Sequence, residues 1–216
     1  MARSSGTKRA ILDAALELAA TRGITGTTMD DVAERAGVAK GSLYYNFSSK
    51  DQLFEALLEE GVGALAETLR DARGAHNSWA AIEALVGALL DRIAANAPLA
   101  KLMASEIFRT DRAWQKTLFA LRHEALAVFA EAIDEATAVA NAAGAVPDAA
   151  AAASAGQGVV AGTSTIMASS VFGAVLMSGL EWLVFEPERP RNEVAAAILA
   201  SLSGALAPAR PLPSVE

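Results

Sequence analysis

The chain has 216 residues, 53% of them hydrophobic and 20% charged, enough for one larger core with a smaller unit attached. It holds no cysteine, which excludes disulfides and thiolate metal sites. The net charge of −7 is uneven: residues 1–50 carry seven Lys/Arg against five Asp/Glu, and residues 51–216 carry eleven against twenty. A polyanion is therefore expected at the N-terminal end, while the acidic remainder resists lying flat on one. Alanine is frequent and period-two alternation is scarce, so an all-α fold is expected.

In chain order, residues 1–6 read as a loose arm, made basic by Arg3 and the nearby Lys8 and Arg9, without the apolar stretch of a secretory signal. From about Thr7 the residues Ile11, Leu12, Ala15, Leu18 and Ala19 form a helical stripe ending at Gly23. Thr28 is a good N-cap, and Asp31 completes a capping-box pattern. Met29, Val32, Ala33 and Ala36 then share one helical face, and Gly37 ends that helix with a sharp turn.

Beyond the turn, Val38 and Leu43 can point back into the same core, which leaves Lys40, Gly41, Ser42, Tyr44 and Asn46 facing outward. Lys40 supplies charge, Ser42 and Asn46 hydrogen bonds, and Tyr44 and Tyr45 rigid rings with hydroxyls that reach phosphates. Gly41 lets a backbone come close. Ser48 is expected to cap the next helix, with Lys50 and Asp51 in its first turn, making a spot that suits a phosphate. The candidate DNA contacts are thus Thr28, Lys40, Gly41, Ser42, Tyr44, Tyr45, Asn46 and Lys50.

The segments ILDAALELAATRG, TTMDDVAERAGVAKGSLYYNF and SSKDQLFEALL, from Ile11 to about Gly61, resemble the N-terminal domain of TetR/AcrR-family transcriptional regulators. The resemblance implies an all-α homodimeric repressor that binds double-stranded operator DNA and answers to a small-molecule effector held in its C-terminal domain. The family often has His where this chain has Asn46.

From Asp51 the apolar positions Leu53, Phe54, Leu57, Leu58, Val62, Leu65 and Leu69 recur to about Arg73, predicting one long lever helix. Gly61 and Gly63 inside it read either as a bend or as two tolerated glycines. Helices are expected over Trp79 to Ala95, Leu99 to about Phe108, and Trp114 to about Asn141. Residues 149–180 hold no charge, and the Ser, Thr, Gly and Gln157 among them favour one or two buried helices over a membrane span. A last helix carries Val194, Ile198, Leu199, Leu202 and Leu206.

The domains expected are a helix-turn-helix domain at 1–52, an effector-binding and dimerisation domain at 53–207, and a disordered Pro-rich tail at 208–216. Large or adaptable side chains nominate an effector pocket of Met103, Phe108, Trp114, Phe119, His123, Phe129, Thr163 and Met167. The last two helices nominate a dimer interface of Phe172, Val175, Leu176, Gly179, Leu183, Ile198 and Leu202. A cytoplasmic, ligand-responsive repressor without cofactor, metal or membrane partner is the expectation; a helical protein-binding adaptor is the alternative. His76 and His123 lack a second His at helical spacing, so catalysis is not expected.

Overall fold

A computed structural model describes the backbone of residues 2–106, 109, 111–143 and 160–206, and the side chains of 6–106, 109, 111–139 and 165–203. The described residues form helices and turns without strands. The helices are α1 (Ala2–Arg22), α2 (Met29–Ala36), α3 (Lys40–Asn46), α4 (Lys50–Val62), α5 (Leu65–Arg73), α6 (Ser78–Ala95), α7 (Ala97–Glu106), α8 (Gln115–Ala143), α9 (Val160–Phe185) and α10 (Arg191–Leu206). Helix α1 begins at Ala2, so the expected loose arm is helical in its described part. The Pro-rich tail lies outside the described residues.

Two compact units emerge, one of residues 1–67 with 93–124, the other of 68–92 with 125–216. The unit that contains the helix-turn-helix thus reaches well past residue 52, because α7 and the start of α8 bury apolar side chains in its core. Ile11, Ala15, Ile24, Val32, Leu43, Leu53, Phe54 and Leu58 are fully or almost fully buried there, and Leu102 and Trp114 close the same cluster. The rings of Phe54 and Trp114 stand 6.0 Å apart. Burying side chains of this size contributes about 1.5–3 kcal/mol each.

The predicted lever is two helices. Helix α4 ends at Val62 and α5 begins at Leu65, with the Gly63 amide bonded to the Glu59 carbonyl at 2.8 Å. A Cβ on Gly63 would lie 2.3 Å from that oxygen, so the tight turn requires glycine at this position.

In the other unit, Ile82, Leu85, Val86 and Leu90 of α6 are fully buried, as are Phe129 and Ala132 of α8 and Val175 of α9. Phe129 and Phe172 meet edge to face at 5.9 Å. Arg191 at the start of α10 donates to both carboxylate oxygens of Asp91, at 2.7 and 2.8 Å, and to the Gly87 carbonyl at 2.7 Å. Arg73 bridges α5 to Glu131 and Glu135 on α8. The 21-residue segment Thr165–Phe185 is long and apolar enough to cross a membrane by length and composition. It packs on α10 and, through Phe172, on Phe129 of α8.

Candidate nucleic-acid interface

Local chemistry builds the reading head. The Thr28 hydroxyl accepts from the Asp31 amide at 3.1 Å, and the Asp31 carboxylate accepts from the Thr28 amide at 3.1 Å, so the capping box is complete. The Thr28 side chain, then the Thr28 amide, and with them the Arg22 cation, favour the ionised Asp31 carboxyl and hold it below its ordinary range. Gly37 takes a left-handed φ of 66°, and the Val38 amide bonds back to the Ala33 carbonyl at 3.0 Å. That turn aims α3 across α2.

Leu43 is wholly buried and acts as the anchor of α3, with Val38 packed against the same core. The opposite face is open: Lys40 and Gly41 are exposed, Tyr44 is 49% exposed and Tyr45 88%. Ser42 and Asn46 are half-buried, and the Asn46 side-chain amide donates to the Ser42 carbonyl at 2.8 Å. A Cβ built on Gly41 meets nothing within 4 Å, so packing inside the chain does not require glycine there.

Of the residues nominated from sequence, Thr28, Lys40, Gly41, Tyr44 and Tyr45 are exposed and Ser42, Asn46 and Lys50 half-buried, and the start of α4 brings two adjustments. Ser49, and not Ser48, caps α4: its side chain accepts from the Gln52 amide at 3.2 Å, while Ser48 donates to the Gln52 side-chain carbonyl from its amide at 2.7 Å and its hydroxyl at 3.0 Å. The cap shifts by one residue because Gln52, and not Asp51, reaches back over the helix start. Lys50 is half-buried and donates to the Thr25 carbonyl at 3.2 Å; burial, and then the nearby Arg112 cation, push its pKa down.

Sequence reasoning missed three partners. Asp30 on α2 holds Lys40 at 2.6 Å, with both side chains exposed, and hydrogen bonding and attraction to that carboxylate raise the Lys40 pKa. Two crossing helices joined at Gly37 could have suggested that pair. Thr25 and Arg112, joined at 2.6 Å, are 87 positions apart and leave no local signal.

The nominated effector residues that are described divide between the two units. Trp114 is buried in the core beside Phe54, with Met103 packed against the same cluster, because both side chains complete the head's apolar interior. Phe119 and His123 are exposed, since they fall on the outer side of α8. Phe129 and Met167 belong to the other unit, Phe129 fully buried and Met167 half-buried. Phe108 and the side chain of Thr163 lie outside the described residues. A cleft of about 490 Å³ runs between α9 and α10, lined by Ala174, Met177, Trp182, Val194, Ala197 and Ser201 among others. None of the nominated effector residues lines it.

The nominated dimer residues are mostly inside their own unit. Val175, Gly179, Ile198 and Leu202 are buried, and Phe172, Leu176 and Leu183 are half-buried. Phe172 packs on Phe129 of α8, and Ile198 lines the cleft between α9 and α10, so part of the nominated set is spent inside its own unit. The apolar side chains left outside on α9 are Ile166 (69% exposed), Met177, Val184 and Phe185 (71%). Ile166, Met177 and Val184 are separated by eleven and then seven positions, which puts them on one helical face.

A capped helix pair with a buried anchor and an outward row of lysine, tyrosines and small polar groups has the arrangement of a helix-turn-helix. Residues 11–57 match the model described as bacterial regulatory proteins, tetR family. It is 34% identical over 92 residues to the HTH-type transcriptional regulator SrpR of Pseudomonas putida, a match covering 43% of this chain and 42% of that one. The chain therefore spans less than half the length of that relative. A Clostridium perfringens protein described as a fatty acid metabolism regulator superposes with TM-score 0.70 at 25% identity, covering 89% of this chain and 96% of the other. FadR of Bacillus subtilis, solved with stearoyl-CoA, shares the fold with TM-score 0.67 at 17% identity, covering 90% and 96%.

Proposed function

We propose that this protein is a homodimeric transcriptional repressor, working in the cytoplasm, that binds operator DNA through α3 and leaves it when a largely apolar small molecule binds. The observation that carries the DNA reading is the split of α3. Leu43 is fully buried, while Tyr45, two positions on, is 88% exposed. A largely exposed tyrosine near Lys40, with an uncrowded glycine between them in sequence, suits a ridge lying against a phosphate backbone. In this reading Lys40, Tyr44, Tyr45 and Lys50 meet phosphates, Ser42 faces base edges, and Asn46 has its remaining amide hydrogen for the backbone.

The dimer uses the outer face of α9 and α10. Ile166, Met177, Val184 and Phe185 are supplied by α9, and the exposed small residues Ala196, Ala197, Ala200 and Ser201 on α10 let a second pair of helices approach. Such a row would otherwise leave an apolar stripe in water. Two heads related by a twofold then reach half-sites about 34 Å apart, or a multiple of that.

The effector binds in the unit that holds Phe129, Met167 and Phe172, where aromatic and thioether groups accept an apolar chain. Stearoyl-CoA, found in the FadR structure, is a reasonable first probe. An effector releases the operator when it prefers the conformer whose heads do not fit it. The test is a gel shift with duplex DNA flanking the protein's own gene. A retarded band that weakens with added salt and dissolves on adding extract of the protein's co-purified small molecules is the expected result, and no shift at low salt by an intact dimer would overturn the reading.

A further inference from the structure

Glu106, the last residue of α7, is a carboxylate only 4% exposed in the core of the unit that contains the reading head. Arg112, in the connection leading to α8, faces it: Nε lies 3.4 Å from Glu106 Oε2, and neither atom has a hydrogen-bond partner. Arg109 approaches the other carboxylate oxygen at 3.7 Å, and Asp111 lies 4.0 Å from the same Nε. The guanidinium rests over the Trp114 ring at 5.5 Å. A buried charge persists only with a counter-charge, so Glu106 and Trp114 pin Arg112 to the α7–α8 connection.

The free end of the guanidinium points elsewhere. Its Nη2 donates to the Thr25 hydroxyl at 2.6 Å, and the carbonyl of that same Thr25 accepts from Lys50 Nζ at 3.2 Å. Thr25 sits in the turn between α1 and α2, three residues before the N-cap Thr28, and is itself exposed. Two cations therefore converge on one residue of the head, and their mutual repulsion helps depress the Lys50 pKa. Nothing in the folding of α1 or α2 calls for this arrangement. The α1–α2 turn already has its own bonds, from the Thr27 amide to Ile24 and from the Thr27 hydroxyl to Gly23.

We propose that Arg112 is a positioning residue for DNA binding: anchored by Glu106 and Trp114, it holds Thr25, and through the Thr25 carbonyl fixes where the Lys50 ammonium meets the phosphate backbone. Lysine carries a long, flexible stem, so fixing its acceptor determines where its charge stands. The arrangement makes Arg112 a control point. A small displacement that closes Nε onto Glu106 Oε2 would satisfy both unpaired atoms and draw Nη2 away from Thr25. The inference rests on the DNA-binding reading above.

The test uses the full chain and a duplex selected from a random-sequence pool by the wild-type protein, with affinity measured by fluorescence anisotropy over a range of salt concentrations. Arg112→Gln and Thr25→Val should each weaken binding about fivefold to tenfold, the effect of losing one hydrogen bond of ordinary net strength. The double variant should be no weaker than either single one. In a Lys50→Ala background, Arg112→Gln should change affinity less than about twofold, and only Lys50→Ala should lower the salt slope, by about one. Thr25→Val alters an exposed side chain, so it remains informative if Arg112→Gln disturbs the packing around Glu106. Additive losses, a lowered salt slope for Arg112→Gln, or unchanged affinity for Thr25→Val would each overturn the positioning role. Failure of the wild type to select any sequence would instead bring down the DNA-binding reading and this inference with it.

Discussion

Gly61 on α4 faces Leu99 on α7 so closely that a methyl group at position 61 would lie 2.7 Å from Leu99 Cδ2 and 3.0 Å from Cδ1. Leu99 is itself buried, so its tip has little room to turn away. The glycine that lowers helix propensity is the one that lets α7 pack against the reading head's connecting helix. Its mid-helix position made a bend a reasonable expectation; the structure puts the break at Gly63 and the close approach at Gly61.

Gly61→Ala brings two opposed effects. Better helix propensity stabilises by about 1 kcal/mol, whereas overpacking a buried leucine costs about 1–3 kcal/mol. A net loss of about 1 kcal/mol is expected in urea unfolding. Combining it with Leu99→Ala should cost less than the sum of the two single changes, because the new methyl occupies part of the space the leucine leaves.

Gly41 separates stability from function. Its site is open within the chain, so Gly41→Ala should stabilise the fold by about 0.5–1 kcal/mol through helix propensity. The added methyl would stand between α3 and the duplex, so operator affinity should fall by at least about tenfold, a loss of about 1.4 kcal/mol. Thermal unfolding and anisotropy on one sample read both; equal or tighter DNA binding would show that the backbone at Gly41 does not approach the duplex.

The Lys40 and Asp30 pair should act in opposite directions on DNA. Both side chains are exposed, so the pair contributes little to stability. Lys40→Ala should weaken binding and lower the salt slope by about 0.9. Asp30→Asn releases the lysine and removes a carboxylate from the binding surface, so affinity should rise, most visibly at low salt. Matching losses for both variants would mean that the ion pair shapes the ridge and that a free lysine does not.

The capping box sets an acid limit. Asp31 has a folded pKa below its unfolded value because Thr28 hydrogen-bonds the ionised form. Its contribution is therefore present above the ordinary aspartate range and disappears as pH falls through the lower, folded pKa. In acid titrations followed by circular dichroism, Asp31→Asn should lose stability at neutral pH and show a flatter decline in acid. Thr28→Ala should cost about 1 kcal/mol at neutral pH.

The outer row of α9 should govern assembly. Met177→Asp with Val184→Asp changes exposed side chains, so the helical content and unfolding midpoint of the isolated chain should move by about 0.5 kcal/mol or less per site. Sedimentation should shift from dimer to monomer, and operator binding should weaken together with it. A variant that remains dimeric would place the interface on another face.

The reading head was legible because its signals are local. Thr28, Asp31, Gly37 and Leu43 lie within sixteen positions, and capping, a left-handed turn and one buried anchor are properties of neighbouring residues. The helices beyond it follow from periodicity in the same way, although the stop at Gly63 needed the backbone to show a tight turn where the pattern ran through. Partnerships between distant segments were not legible. Trp114 and Met103 read as pocket-lining groups, yet they complete the head's core, since burial depends on which helix arrives from elsewhere and not on side-chain type. The apolar residues of α9 carry no mark that sorts the buried ones from the exposed ones. The bond from Arg112 to Thr25 spans 87 positions. Capping and helical period act over a few residues, so the sequence by itself determined the elements and the reading surface; contact across the fold depends on how those elements pack, and only the tertiary structure decided it.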